Sequence, residues 1–245
     1  MIALFNRSFK TVFTAALTAA AIASSGAALA ATKIVAMKID GLYQKDGKGL
    51  YDQIVAAAAK QSGQGIEIQV VAPNRALKDF ESGKYACVSP ANTNPDFYDF
   101  KFSTVESKSM TTAKIYIFTK AGSQPITDLA SLKGKKVGIC KGLPYGAKVE
   151  GAGLKLIKAG SDEANVKKLM AGRIDAFLAY TPDMYTVFRA MGIKPLAHDA
   201  NKPVAVHEDT ILCRKDKGGD AIVAAFNKGF QGIEKSGELA KILGE

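Results

Sequence analysis

Few of the 245 residues are cysteine or histidine: three of the first, two of the second. Three cysteines cannot build a disulfide scaffold. No Cys/His cluster has metal-ligand spacing, and two histidines, His198 and His207, exclude a multi-histidine centre. Neither histidine has a companion motif for a cysteine or serine nucleophile. No apolar run after residue 30 is long enough to span a bilayer. Basic residues outnumber acidic ones by 33 to 23, yet they are scattered as single lysines or short runs such as Lys133-Gly-Lys-Lys136. Nothing pairs them with a stacking aromatic motif, so they are solvated faces and no nucleic-acid partner is expected. What is present is ordinary globular material, 47% hydrophobic and 23% charged, enough for one large or two small domains.

The first thirty residues read differently from the rest. Arg7 and Lys10 precede an apolar stretch from about Val12 to Ala23, and small residues end in Ala28-Leu29-Ala30. That is the order of a secretory signal peptide cleaved after Ala30. Its removal lowers the formal charge from +10 to +8 and predicts an exported, periplasmic chain that does not span the membrane.

Along the mature chain, strands and helices alternate. Ile34–Ile39 is a short apolar run and predicts a buried strand; Leu50–Lys60 is an alanine-rich helix stopped near Gly63. Ile66–Val70 alternates strictly, as a strand does. Asn74 is placed to cap a helix running to Ser82, and Tyr85–Val88 is the next strand. This order predicts a parallel sheet under helices. Further strands are expected at Ala113–Thr119, Val137–Cys140, Leu154–Lys158, Ile174–Ala179 and within His207–Lys215. Helices are expected near Gly146, at Asp162–Ala171, from a Thr181-Pro182 start to Met191, and over Gly219–Leu243. Leu77–Lys84 is echoed by Val166–Arg173, with Gly83 and Gly172 aligned: helix, glycine stop, basic residue, apolar strand. The echo suggests two lobes of similar build.

Four stretches in this order carry a family likeness: Arg75-Ala-Leu-Lys-Asp-Phe-Glu-Ser-Gly-Lys-Tyr85, Tyr98-Asp-Phe-Lys-Phe-Ser103, Asp128-Leu-Ala-Ser-Leu-Lys-Gly-Lys-Lys-Val-Gly138 and Leu169-Met-Ala-Gly-Arg-Ile-Asp-Ala176. Together they resemble the type II periplasmic solute-binding proteins, family 3, the polar-amino-acid-like substrate-binding proteins of ABC transporters. The resemblance spans nearly all of residues 33–243. It implies an α/β fold of two Rossmann-like lobes joined by two crossing segments, with the ligand in the cleft between them. Lobe one would be 31–108 plus the return part 208–245, and lobe two 109–207. It implies a monomer that takes no cofactor, catalyses nothing, and delivers a small solute to a membrane permease. A dehydratase-like enzyme or a sensory protein on the same scaffold are the alternatives.

The cleft residues this implies are Asp40 and Tyr43 after the first strand, Arg75 at a helix start, and Ser89, Asn92 and Asp96 after the third strand. Lys141 and Tyr145 follow in lobe two, with Tyr180 and Asp183 after the Asp-Ala strand. Tyr43 is expected to stack on ligand; pairing with Asp79 is the competing use of Arg75. Amino-acid binders of the family clamp the ligand carboxylate with an arginine where Asp96 falls here by counting, and pair its ammonium with an aspartate where Tyr180 falls. Their Gly-Thr-Thr loop is Gly142-Leu-Pro-Tyr-Gly146 here. An ordinary α-amino acid is therefore not the expected ligand. If the likeness holds, Cys87 and Cys213 lie on neighbouring strands; buried free thiols are expected, since adjacent strands rarely give disulfide geometry.

Overall fold

The structure is a computed structural model that describes Met1 and residues 31–244. The expected signal peptide lies outside the described residues. Nine strands form one curled path in the order β2-β1-β3-β9-β5-β8-β6-β7, with β4 beside β9.

The first half holds β1 (Thr32–Met37), α1 (Leu50–Ser62), β2 (Ile66–Val71), α2 (Pro73–Glu81), β3 (Cys87–Ala91) and β4 (Thr104–Glu106). α1 starts where the Asp52 carboxylate accepts from the Gly49 and Gln44 N–H groups (3.0 and 2.8 Å), two donors with no helical partner. Its apolar face, with Tyr51, Ile54, Val55 and Ala58, packs with Phe226, Phe230 and Ile233. α2 starts one residue before the expected cap, with Pro73 in its first turn. Its Ala76 and Phe80 cover the other face of the half-sheet, against Val35 and Val88.

The second half holds β5 (Thr111–Phe118), β6 (Lys136–Cys140), α3 (Ala147–Glu150), β7 (Lys155–Ala159), α4 (Asp162–Met170), β8 (Ala176–Thr181) and α5 (Asp183–Ala190). Ser161 caps α4 by accepting from the Ala164 N–H at 3.2 Å. Thr181, expected as a helix cap, stays in β8 opposite Lys114, and Pro182 caps α5 instead. The half-sheet is covered on one face by Leu132, Val137 and Val149 and on the other by Leu169, Phe177 and Phe188.

β9 (Ala205–Arg214) ties the halves together. Its first residues pair with β5 and its last with β3 and β4. The sheet is thus mixed, where sequence predicted parallel. β1–β2, β1–β3, β6–β7 and β6–β8 are parallel, while β5 and β9 run antiparallel to their neighbours. The chain closes with α6 (Gly219–Lys235) and α7 (Glu238–Leu243); the expected single helix breaks at Ser236-Gly237, where Gly237 takes a positive φ.

Cys87 and Cys213 form a disulfide, against the expectation of free thiols. The reason lies in the ladder. The Arg214 N–H donates to the Ala86 carbonyl at 2.8 Å, so Cys87 and Cys213 oppose each other as a non-hydrogen-bonded pair. Such pairs bring the two backbones closest, here to 4.1 Å between Cα atoms. Cys140 is the remaining thiol, and burial pushes it up to about 12.

Candidate functional site

The two half-sheets and β9 converge on one cavity. The first half contributes Met37 and Ile39 from the end of β1, Leu42, Pro90 in β3 and Tyr98. From the second come Ala113, Leu143, Pro144, Tyr180, Thr181, Pro182 and Asp183; β9 adds His207 and Asp209. The site sits beyond the carboxyl ends of β1 and β8, where open α/β sheets hold ligands.

Beside Tyr98 and Tyr180, the titratable lining is Asp183, Asp209 and His207, whose Nδ1 lies 3.5 Å from Asp209 Oδ1; among the described residues no lysine or arginine joins it. Asp183 opens α5 and is 3% exposed. Burial drives its carboxyl well above the usual range, and the nearby carboxylates Asp162 and Asp209 push the same way. Asp209 is 5% exposed and accepts from the Tyr51 hydroxyl at 2.7 Å. Burial raises it to about 6, against the partial relief of His207 and Tyr51. Asp162, at the start of α4, is raised to about 7 by burial, with the Asp40 charge adding to it. One of its carboxylate oxygens, Oδ1, is buried without a hydrogen-bond partner. It lines a neighbouring groove of about 280 Å³ with Asp40, Cys140 and Leu143.

The central cavity is small. Its water-accessible volume is about 20 Å³, room for about one water. The loop after β6 presses on the first half. The Ala147 N–H donates to the Asp96 carbonyl at 2.8 Å. A Cβ on Gly142 would stand 2.4 Å from Asn74 Oδ1, and Gly142 has φ +88°. Only glycine meets both conditions without strain. Gly142→Ala is expected to cost roughly 1–3 kcal/mol and to part the two halves, read as a larger radius of gyration in small-angle scattering.

Of the ten residues expected in the cleft, the cavity lining includes Tyr180 and Asp183. Asp40 is exposed and lines two neighbouring grooves. Tyr43 is fully buried within the first half, where its hydroxyl donates to Ser89 Oγ (2.8 Å) and its ring meets Tyr51 edge-on. It is a packed loop residue and offers no face to a ligand. Ser89 is spent on Tyr43 and on the Thr210 carbonyl. Arg75 pairs with Asp79, Nε to Oδ1 at 2.8 Å. The Asp96 side chain and Lys141 are exposed and outside the cavity. Tyr145 is buried, its hydroxyl accepting from the Cys140 N–H. Asn92 lies behind the cavity and holds His207. Sequence reasoning missed His207 and Asp209. The signal was there: Val206, His207, Glu208 and Asp209 alternate along β9, so the two site residues share one face.

Two α/β halves joined through a crossing strand, with a cavity at their junction, define a two-lobe binding-protein fold. No protein-family model matches this chain, and no curated protein sequence does. Solved structures do share the fold. One is a histidine kinase sensor domain with similarity to periplasmic binding proteins, at TM-score 0.70 and 19% identity, covering 88% of this chain and 95% of that one. The arginine-, lysine-, histidine-binding protein ArtJ from Geobacillus stearothermophilus follows at 0.67 and 17%, covering 87% and 93%. An ancestral arginine-binding protein bound to arginine gives 0.65 and 21%, covering 86% and 96%. At these identities the likeness is one of fold.

Proposed function

We propose that this chain is an extracytoplasmic solute-binding protein, exported by residues 1–30, that captures a small polar solute between its lobes and passes it to an ABC-type permease. Residues 31–108 with 208–245 form one closing body and 109–207 the other. The observation that carries the reading is the junction cavity: strand ends of both halves and β9 converge there, and among the described residues its lining holds two buried aspartates and no lysine or arginine. A cavity of this size admits no solute as it stands, so capture requires the lobes to part and close again. Among the described residues no helix is long and apolar enough to cross a membrane.

The ligand is not an ordinary α-amino acid. The cavity lining lacks an arginine, and its two carboxylates would repel a ligand carboxylate. Calorimetry against the twenty standard amino acids is expected to show no binding at micromolar concentrations. Micromolar binding of one of them, abolished by Arg75→Ala, would overturn this. The sensor-domain neighbour favours a second reading, occupancy signalling. Deleting the gene abolishes ligand uptake under the transport reading; under the sensing reading uptake persists and a response is lost. Recovery of the bound ligand unchanged after long incubation is the outcome expected of a non-enzymatic protein.

A further inference from the structure

The geometry points to a specific ligand class: a small organic cation with an apolar body, one neutral hydroxyl and no carboxylate, held by Asp183, Asp209 and His207. The inference rests on the reading of the junction cavity as the solute site.

His207 supplies an observation independent of the acids. It is 8% exposed, and its Nε2 is buried without a hydrogen-bond partner. The other ring nitrogen, Nδ1, already has its polar neighbours. Asn92 Oδ1 accepts from the Asn94 N–H at 2.9 Å, which orients the amide. Asn92 Nδ2 then donates one hydrogen to the Glu208 carbonyl and faces His207 Nδ1, both at 3.1 Å. The Glu208 carbonyl (3.3 Å) and Asp209 Oδ1 (3.5 Å) also face Nδ1, so either ring nitrogen can carry the proton, and Nε2 is without a partner in both cases. His207 thus brings an unpartnered ring nitrogen to the cavity. A buried polar atom without a partner is costly, and a ligand hydroxyl, which can donate or accept, relieves that cost.

The acids set the charge. Asp183 and Asp209 come from different elements, α5 and β9, and no lysine or arginine shares the cavity with them. Buried carboxylates without a counter-charge are unfavourable, and an entering cation removes the penalty. A ligand carboxylate restores it. The remaining wall is apolar or aromatic: Leu42, Leu143, Tyr98 and Tyr180 face an apolar body, and a tyrosine face also attracts a cation.

Matched pairs differing in the carboxylate test this: tyramine with tyrosine, choline with glycine betaine, and agmatine with arginine. Calorimetry on the full mature chain is expected to show tyramine or choline bound at least about 30-fold more tightly than its carboxylated partner. Asp183→Asn and Asp209→Asn each lower that affinity by a similar factor. They are expected to melt no lower than the parent, which separates lost binding from lost fold. His207→Phe lowers it about three- to tenfold. Equal or tighter binding of the carboxylated members, or unchanged affinity in both aspartate variants, overturns the inference. Failure of every amine to bind also overturns it. A panel of neutral sugars and dicarboxylates run beside them then separates the two claims: binding by one of those keeps the solute-binding reading, and no binding by any class removes both.

Discussion

Reduction of the Cys87–Cys213 bridge is expected to lower the melting temperature of the purified protein by roughly 4–16 °C. The bridge links residues 126 apart, so it removes a large set of unfolded conformations. Losses of about 2–4 kcal/mol are typical for one disulfide, and a chain of this size shifts about 2–4 °C per kcal/mol. The effect also reaches the site. Cys213 lies four residues beyond Asp209 on β9, and the bridge pins that strand to β3, whose Pro90 lines the cavity. Thiol titration in denaturant should count one thiol before reduction, Cys140, and three after it. Three thiols before reduction, or a melting temperature that moves by less than about 1 °C on reduction, would show that the bridge is absent or idle.

The alternation of Ile66–Val71 and the apolar run at β1 made the first half legible, because burial of one sheet face imposes a period of two wherever it occurs. The mixed sheet was not legible. β5 and β9 read locally as any strand does, and only their long-range pairing makes them antiparallel. The same limit hid the disulfide: whether two facing cysteines form a close or a wide pair depends on ladder register, which neither cysteine's neighbours encode.

Site residues followed the same division. Asp183 was expected between the lobes from a local feature, a helix start beyond a buried strand, and it lines the cavity. Tyr43 misled because its hydroxyl partner, Ser89, lies 46 positions away. With that partner a loop tyrosine becomes core. Asp96 was placed by counting, and the turn that follows Asn92 instead uses the Asp96 carbonyl to hold α3 and leaves its side chain in water. His207 and Asp209 stood on a strand read only as a connection. A crossing strand, however, is the one element that both lobes border, so its inward face is bound to line whatever lies between them.

Melting temperature and ligand affinity are expected to respond to pH in opposite directions. Asp209 is raised to about 6, Asp162 to about 7 and Asp183 well above its ordinary value, all chiefly by burial. The unfolded chain releases these protons near pH 4. Between there and the raised values the folded state binds more protons than the unfolded one, so stability falls as pH rises. The loss is of the order of 3 kcal/mol for Asp209 alone. Groups facing these acids, Tyr51 and His207 at Asp209, Tyr145 and Cys140 near Asp162 and Asp183, do not reverse the sign, since the raised values already contain their influence. Asp79, Asp128 and Asp216 are lowered and lose their contribution only in more acid solution, outside the window. Melts of the unliganded protein from pH 5 to pH 8, in buffers free of amines, should therefore fall by on the order of 10 °C. An organic cation needs Asp183 and Asp209 ionised, and binding must expel any proton they hold. Its affinity should rise across the same range, by up to about tenfold per pH unit for each proton released. A melting temperature that climbs from pH 5 to 8, in the parent and in Asp209→Asn alike, would show that these carboxyls ionise at their ordinary values. The cavity would then hold no acids waiting for a cation.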